Sequence, residues 1–181
     1  MELKQIASFQ VAHRKHTEGM YTSGVDGDVV TYDIRMARPN CGAYLGCGAI
    51  HSFEHLFATY VRSGPLSDKV IYAGPMGCRT GFYFLVRDLD PAAAIGLVKE
   101  TMDFIAGYEG PIPGATEAEC GNYREQDLEG ARAAARKMVP ILANWTVDRL
   151  VYEKCTPAGN RGGRPARPIT SAPPSAPART G

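Results

Sequence analysis

The chain has 181 residues, of which 44% are hydrophobic and 22% are charged, as in an ordinary globular protein. Its 20 basic and 19 acidic residues leave a formal net charge of +1, which argues against a strongly basic nucleic-acid-binding protein. No run of about 18 apolar residues occurs, so no transmembrane helix is predicted. The first residues, MELKQIASFQ, lack the apolar core of a secretory signal. We therefore expect a cytoplasmic protein that has neither a nucleic-acid nor a membrane partner.

Strands are predicted in three places, with a weaker fourth over residues 3–11. Hydrophobic residues alternate over residues 28–36, which indicates a half-buried strand. One face of that strand carries Val30, Tyr32, Ile34 and Met36, and the other carries Thr31, Asp33 and Arg35. Residues 70–72 and 80–86 read as two further strands, joined by the glycine-rich turn GPMGC.

Three helices are predicted between and after these strands. The first covers residues 49–62 and ends before Gly64-Pro65. The second begins at Asp90-Pro91, a typical N-cap followed by proline in the first helical position, and runs to about Gly107. The third begins near Asp127, and Pro140 is expected to break or kink it before a last segment toward Glu153.

The predicted fold class is therefore α+β, with a mainly antiparallel sheet packed against about four helices. Residues 1–155 are expected to form one domain. The tail, residues 156–181, contains four arginines, no acidic residue, six prolines and four glycines. Since such a segment cannot bury enough apolar surface to offset the entropy cost of ordering, it is predicted to be disordered.

The strongest chemical signal is the sequence HSFEH at residues 51–55. On a helix, His51 and His55 lie one turn apart on the same side, where both imidazoles can reach one metal ion. Glu54 lies on the same arc and can act as an acid or a base beside the ion. The apolar residues of the segment gather on the opposite side of the helix. This pattern predicts a metal site that needs a third ligand.

Residue spacing alone does not identify the third metal ligand. HxxEH also occurs in inverted zinc metallopeptidases, which usually recruit a downstream Glu, whereas Cys is the softer choice and suits Zn or Fe. Five cysteines without a signal sequence argue for reduced thiols, and no pair has CxxC spacing. Cys78 and Cys120 both have glycine neighbours, which allow another group to approach the thiol. Next to Arg79, and near a divalent cation, Cys78 is expected to form a thiolate readily.

Taken in order, these motifs resemble those of the S-ribosylhomocysteine lyase (LuxS) family. The resemblance covers roughly residues 4–150. It rests on Ser8-Phe9 with His13, on YDIR at residues 32–35, on HSFEHL at 51–56, on PMGCRTGFY at 75–83 and on ECG at 119–121. The tail lies outside it, and Tyr72-Ala73-Gly74 stands where many members have an acidic residue and a serine.

The resemblance implies a role for each matching residue. The metal ligands would be His51, His55 and Cys120, and the acid/base residues would be Cys78 and Glu54. The substrate pocket would be lined by Ser8, His13, Arg35 and Arg62. It further implies a homodimer with active sites at the subunit interface. The metal would be one Fe²⁺ per subunit, which Zn²⁺ or Co²⁺ can replace.

The implied reaction breaks the unactivated C–S bond of S-ribosylhomocysteine. Metal-assisted carbonyl migration along the sugar followed by β-elimination would give homocysteine and 4,5-dihydroxy-2,3-pentanedione, the precursor of autoinducer-2 in quorum sensing and a link to homocysteine recycling. The residues are also compatible with two alternative functions: an HxxEH zinc metallopeptidase, and a metal-binding module without catalytic activity. Because Glu54, Cys78 and all three ligands of the implied site are present, the lyase interpretation is favoured over both.

Overall fold

The computed structural model of the chain describes residues 13–152. Three expectations lie outside the described residues: the weak strand over residues 3–11, the position of Ser8 and the disorder of the tail from residue 156 onward. The described part begins with a short 3₁₀ turn at His13–Lys15 and ends just after another at Val147–Leu150.

Within the described residues, four strands form one fully antiparallel sheet: β1 (Gly19–Asp26), β2 (Val29–Arg35), β3 (Val70–Pro75) and β4 (Gly81–Arg87). Their spatial order is β1-β2-β4-β3, with Tyr32 opposite Phe84 in the central pair. The predicted α+β class is confirmed. Strand β1 was not predicted, because its sequence, GMYTSGVD, contains two glycines and a serine and only its first three residues are buried.

The three α-helices in this part of the chain all pack against one face of the sheet or against one another. They are α1 (Cys47–Val61), α2 (Pro91–Gly107) and α3 (Leu128–Leu142). Asp90 caps α2 as expected, since its carboxylate accepts hydrogen bonds from the backbone N–H groups of Ala92 at 2.9 Å and Ala93 at 3.2 Å. Instead of a fourth α-helix, the segment after α3 forms the 3₁₀ turn.

Pro140 does not end α3, which continues two residues further to Leu142. Proline removes one backbone hydrogen-bond donor, but Met138 and Leu142 on either side of it are both buried in the core. Their burial against the other helices stabilises the last turn and explains why the helix extends beyond the proline.

The core lies between the helices and the face of the sheet that carries Tyr32, Ile34, Phe82 and Phe84. Helix α1 contributes Phe53 and Phe57, whose rings contact Phe82. This packing fixes the rotation of α1 about its axis, so that His51, Glu54 and His55 turn away from the sheet, as the spacing predicted. The candidate metal-site residues are therefore anchored by the aromatic core beneath them.

One expectation about the sheet is only partly right. Asp33 and Arg35 do lie on the face opposite to Tyr32 and Ile34, but they are only 2% and 4% exposed. A strand pattern read alone treats that polar face as solvated. Here Tyr152, from the segment after α3, and His16, from the segment before β1, cover it.

Candidate metal centre and thiol site

The structure brings His51, His55 and Cys120 together. The Nε2 atoms of the two histidines are 3.1 Å apart, and Cys120 Sγ lies 3.2 Å from His51 Nε2. One ligand atom from each residue falls within 4.8 Å of the other two. The histidines come from successive turns of α1, and Cys120 comes from the long loop between α2 and α3, referred to below as the ligand loop (residues 108–127).

Backbone carbonyls of the ligand loop fix the orientation of both imidazoles. His51 Nδ1 lies 2.9 Å from the carbonyl oxygen of Glu125, and His55 Nδ1 lies 2.7 Å from that of Pro113. Since a carbonyl only accepts, each Nδ1 carries the proton and donates. When both rings are neutral, the lone pairs of the two Nε2 atoms face each other across 3.1 Å and repel. A cation bound between the two atoms would turn this repulsion into attraction.

The donor set therefore fits a divalent transition metal. Two imidazole nitrogens and one thiolate suit Zn²⁺ and Fe²⁺, and three protein ligands leave a coordination position open for a substrate, as in catalytic rather than structural sites. Hydrogen bonds to the Nδ1 atoms of metal-binding histidines are the usual means by which a protein orients such ligands.

Ser52 ties the ligand loop to α1. Its hydroxyl donates to Gln126 Oε1 at 2.8 Å and accepts from the backbone N–H of Asp127 at 2.8 Å, and the side chain is fully buried. At the other end of the loop Gly114 adopts a φ of +68°, and a Cβ there would lie 3.3 Å from His55 Nδ1. The loop thus approaches both histidines closely enough for its carbonyls to accept from them.

Two further predicted residues lie on or just after α1. Glu54 lies between the two histidines in sequence and is half-buried. Among residues 13–152 it has no hydrogen-bond or ion-pair partner. Its carboxylate is therefore not held by a structural partner. Arg62 follows the last helical residue and donates to the carbonyl oxygens of Ala58 and Ile71, each at 3.2 Å, which ties the end of α1 to β3.

A second group of polar residues surrounds Cys78 in the turn between β3 and β4. The Cys78 thiol is 3.0 Å from Thr80 Oγ1, and the Arg35 guanidinium donates to the same oxygen. Because Arg35 can only donate, the hydroxyl hydrogen of Thr80 is free to point toward the sulfur. The residue between Cys78 and Thr80, Arg79, has a φ of 59°, a left-handed conformation that a non-glycine residue seldom adopts.

This environment favours the thiolate form of Cys78. Burial by itself would raise the pKa of the thiol, but hydrogen bonds from the side chain and backbone of Thr80 and the positive charge of Arg35 outweigh it, so that the pKa lies below the ordinary value. The expectation of an activated thiol came from the neighbouring Arg79. In the structure the stabilising cation is Arg35, from a distant strand.

Arg35 is itself held by a buried acid. Its second terminal nitrogen donates to Asp33 Oδ2, which also accepts a hydrogen bond from the Tyr152 hydroxyl at 2.8 Å. Burial would lower the pKa of Arg35, but the charge of Asp33 and the bond to it raise the value, so the guanidinium stays positive. Asp33, Arg35, Thr80 and Cys78 thus form a continuous chain of contacts, called here the thiol relay.

The histidines at the start of the described chain lie beside this relay. His13, a predicted substrate residue, is half-buried, with its ring centroid 6.1 Å from that of His16. His16 contacts the ring of Tyr152 edge-on at 4.5 Å. Burial, only partly offset by Asp33, lowers the pKa of His16. The structure therefore places His13 and Arg35 around the same covered patch, whereas Ser8 lies outside the described residues.

Sequence reasoning missed three residues that shape these sites. Asp33 was placed on the polar face of a half-buried strand and within the YDIR motif but given no role, and neither His16 nor Tyr152 was singled out. A lone histidine and a tyrosine near the end of a domain carry no periodic signal. The proximity of Asp33 to Arg35 at i, i+2 on one strand face was the only available hint, since side chains two apart on a strand point the same way.

The fold and the two sites together define a class: a small α+β enzyme that combines a candidate His₂Cys metal centre with a cysteine whose thiolate form is favoured. The family model described as S-Ribosylhomocysteinase (LuxS) matches residues 6–148. Curated relatives covering 83% of this chain are 44% identical in Phocaeicola vulgatus, 43% in Porphyromonas gingivalis and 41% in Clostridium acetobutylicum. Each is named S-ribosylhomocysteine lyase, and the matches cover 98–99% of those proteins. The chain belongs to the S-ribosylhomocysteinase (LuxS) family.

The structure also bears on the predicted absence of membrane spans. Within residues 13–152, none of the helices combines the length and the apolar character that crossing a bilayer requires.

Proposed function

We propose that this chain is an S-ribosylhomocysteine lyase that cleaves its substrate to homocysteine and 4,5-dihydroxy-2,3-pentanedione, the precursor of autoinducer-2. The observation that carries the proposal is the presence of three convergent metal-ligand atoms together with an activated thiol in a chain of this family. The reaction is a carbon–sulfur lyase reaction that needs proton transfers and a Lewis acid but no redox cofactor. The residues of both sites match that requirement.

His51, His55 and Cys120 would hold the metal. When bound, it supplies Lewis-acid polarisation of oxygen atoms of the sugar, which makes the neighbouring C–H groups acidic. We propose Fe²⁺ as the native ion, with Zn²⁺ or Co²⁺ able to replace it. The soft thiolate of Cys120 and the two imidazoles support this choice over Mg²⁺ or Ca²⁺, which prefer oxygen ligands.

Cys78 and Glu54 would move the protons. The substrate carbonyl must migrate from C1 to C2 and then to C3, and each shift removes a proton from one carbon and delivers one to its neighbour. With the carbonyl at C3, removal of the C4 proton expels the sulfur from C5 as a thiolate, which is then protonated. Cys78 is suited to the C–H steps because its thiolate is stabilised without being neutralised by a permanent salt bridge. Glu54, which has no hydrogen-bond or ion-pair partner among residues 13–152, is suited to exchanging protons with the hydroxyl groups.

The remaining family residues would bind the substrate. Arg35 keeps part of its guanidinium for Asp33 and Thr80, so its role would combine substrate contact with support of Cys78. His13 lies beside it, and Arg62 has donors left over after its two carbonyl contacts. Each of these, together with Ser8, is proposed to contact the ribosyl or homocysteine part of the substrate.

We also propose that the enzyme is a homodimer whose active sites adjoin the subunit interface. The sheet face opposite the helices carries Tyr72, Tyr83 and Leu85 around a groove of about 420 Å³, and Tyr72 is 46% exposed. An apolar sheet face without helices is usually covered by a partner, and here a second copy would also border the thiol relay on the same face. A Leu85→Glu variant that sediments as a monomer would support this arrangement, whereas a wild-type protein that is monomeric at micromolar concentration would contradict it.

A cytoplasmic location is proposed as well. All four cysteines within residues 13–152 are free thiols, and three of them are exposed, as expected in a reducing compartment.

The decisive experiment measures free-thiol release from S-ribosylhomocysteine by protein loaded anaerobically with Fe²⁺ or with Co²⁺. We expect release by the wild type and its loss in Cys78→Ala and Glu54→Gln, with metal content unchanged in both variants. A metal-replete wild type that releases no thiol would overturn the lyase assignment. The same preparation is then tested on peptide substrates, since peptide cleavage would indicate a metallopeptidase and inactivity on both would indicate a non-catalytic metal-binding module.

A further inference from the structure

Tyr152 lies four residues beyond the part of the chain that the family model matches, yet it contacts the thiol relay directly. Its hydroxyl is 2.8 Å from Asp33 Oδ2, the same oxygen that Arg35 contacts. Burial and the charge of Asp33 raise the pKa of Tyr152, so the phenol stays protonated and acts as the donor. The family match therefore gives no role to a residue that closes one end of the relay.

Neighbouring rings hold Tyr152 in one orientation. It stacks on Tyr21 with ring centroids 5.3 Å apart and an interplanar angle of 12°, and the edge of His16 meets it at 4.5 Å. Tyr21 in turn packs edge-on against Trp145. Contacts on both sides therefore hold the ring in place. This packing sets the position of the Tyr152 hydroxyl independently of its hydrogen bond to Asp33.

The position of Tyr152 limits where Asp33 can hold Arg35. Among residues 13–152, neither Asp33 Oδ1 nor Arg35 Nε has a hydrogen-bond partner, so within this part of the chain the carboxylate is located by Tyr152 and by the terminal nitrogen of Arg35. Without Tyr152, Asp33 can turn toward the unpartnered Nε, and the guanidinium loses its restraint toward Thr80. The hydroxyl of Thr80 would then no longer be held against the Cys78 sulfur.

We propose that Tyr152 is a positioning residue for the cysteine of the proposed lyase: through Asp33 and Arg35 it keeps Thr80 against the Cys78 thiol. The consequence of this positioning for catalysis rests on the proposed function. Its effect on the Cys78 thiol is a property of the protein alone. The residue itself touches neither Cys78 nor the metal ligands. Its effect is transmitted along the thiol relay.

Within residues 13–152, the charged and titratable groups around the relay come from five segments, one of which is the β3–β4 turn with Arg79 between Cys78 and Thr80. Strand β2 supplies Asp33 and Arg35, β4 supplies Tyr83, and the segment before β1 supplies His13 and His16. Tyr152 comes from the segment after α3. Burial raises the pKa of Tyr83 and lowers that of His16, so both residues are neutral just above pH 7. A change in Cys78 ionisation in that range therefore reports on the relay and not on the titration of these two residues.

The test is the pH dependence of Cys78 alkylation by iodoacetamide, followed at that residue by peptide mass spectrometry on the full-length protein. We compare the wild type with Tyr152→Phe, which keeps the ring stack but removes the donor. We expect the midpoint of the alkylation profile to move to higher pH, with the rate at pH 7 about threefold lower and the rates converging at high pH, a size within the range of network couplings. The lyase rate of the metal-loaded enzyme should fall in parallel.

Matched variants define the route. Tyr21→Phe removes a hydroxyl from the partner ring that bonds to Thr17 and not to Asp33, so it should leave the midpoint unchanged. In a Thr80→Val background, which breaks the last link, Tyr152→Phe should add nothing further. Tyr152→Leu, which lacks both hydroxyl and ring, should shift the midpoint at least as far as Tyr152→Phe.

Three outcomes would overturn the inference. The first is an unchanged alkylation midpoint in Tyr152→Phe. The second is a Tyr152→Phe shift that persists in the Thr80→Val background. The third is a shift seen in Tyr152→Leu but not in Tyr152→Phe, which would mean that the ring acts only by shielding the relay from solvent. Alkylation requires no substrate. If Tyr152→Phe shifts the midpoint while the metal-loaded wild type releases no thiol from S-ribosylhomocysteine, the proposed function is refuted and the positioning role stands.

Discussion

The metal centre and the thiol relay are built in opposite ways. Two of the three proposed metal ligands lie four residues apart on one helix, and the third comes from a loop whose carbonyls fix both imidazoles. The relay instead joins β2 to the β3–β4 turn through polar contacts, and Tyr152 links it to the segment after α3. The metal centre is a local motif on a helix surface, whereas the relay exists only after the whole sheet has formed. Changes in the first should affect chemistry, and changes in the second should affect stability as well.

The largest effect is expected from Cys120→Ala. Loss of one of three protein ligands should remove most bound metal, and the lyase rate should fall by about 10³-fold or more, since the Lewis acid is lost with the ion. The thermal stability of the metal-free protein should change little, because Cys120 is only partly buried in a loop. Metal content by plasma emission spectrometry and a melting curve measure both effects, and retention of a full metal equivalent would remove Cys120 from the ligand set.

The relay should respond to Asp33→Ala in the opposite manner. Removing one partner of a buried pair leaves the Arg35 charge without compensation, which typically lowers the free energy of unfolding by about 3–5 kcal/mol. Urea denaturation of the metal-free protein measures the loss. Glu18→Ala serves as the control, since it breaks an ion pair with the half-exposed Lys137 and should change stability by less than about 1 kcal/mol. Equal losses in the two variants would show that Asp33 and Arg35 are not effectively buried in solution.

The same contrast explains what the sequence could and could not predict. The two candidate metal-binding histidines could be predicted because i, i+4 spacing on a helix requires no knowledge of the tertiary fold, and the structure brings them together with Cys120. The PMGCRT motif marked Cys78 through the resemblance. The partners of Cys78 were assigned less well. Arg79 was expected to activate the thiol because it is adjacent, whereas the stabilising contact comes from Thr80 and Arg35, which strand pairing brings together across 45 residues. Tyr152 reaches Asp33 across 119 residues, and no local pattern encodes that contact.

A smaller effect within the metal centre is expected from Ser52→Ala. This change removes the hydroxyl that holds both Gln126 and the backbone of Asp127, and so loosens the loop that orients His51. Outer-shell changes of this kind typically weaken metal binding by about 10–100-fold, and competition with a chelator measures the loss. Ser52→Thr keeps the hydroxyl and should retain most of the affinity. Cys78 alkylation should be unaffected by either variant, because Ser52 has no contact with the relay.

The smallest effect, and the sharpest test of the relay, is expected from Thr80→Val. The two side chains have nearly the same shape, but Val removes the hydroxyl that bonds to Cys78 and accepts from Arg35. Since that hydroxyl favours the thiolate, its loss should raise the Cys78 pKa and slow alkylation at pH 7 by about threefold, a modest figure because the thiol is partly solvated. The sign is specific: a lowered pKa would mean that Arg35 moved closer to the sulfur and that Thr80 keeps the charge away. Thr80→Ser, which retains the hydroxyl, should restore the wild-type profile, and the metal affinity should be the same in all three proteins.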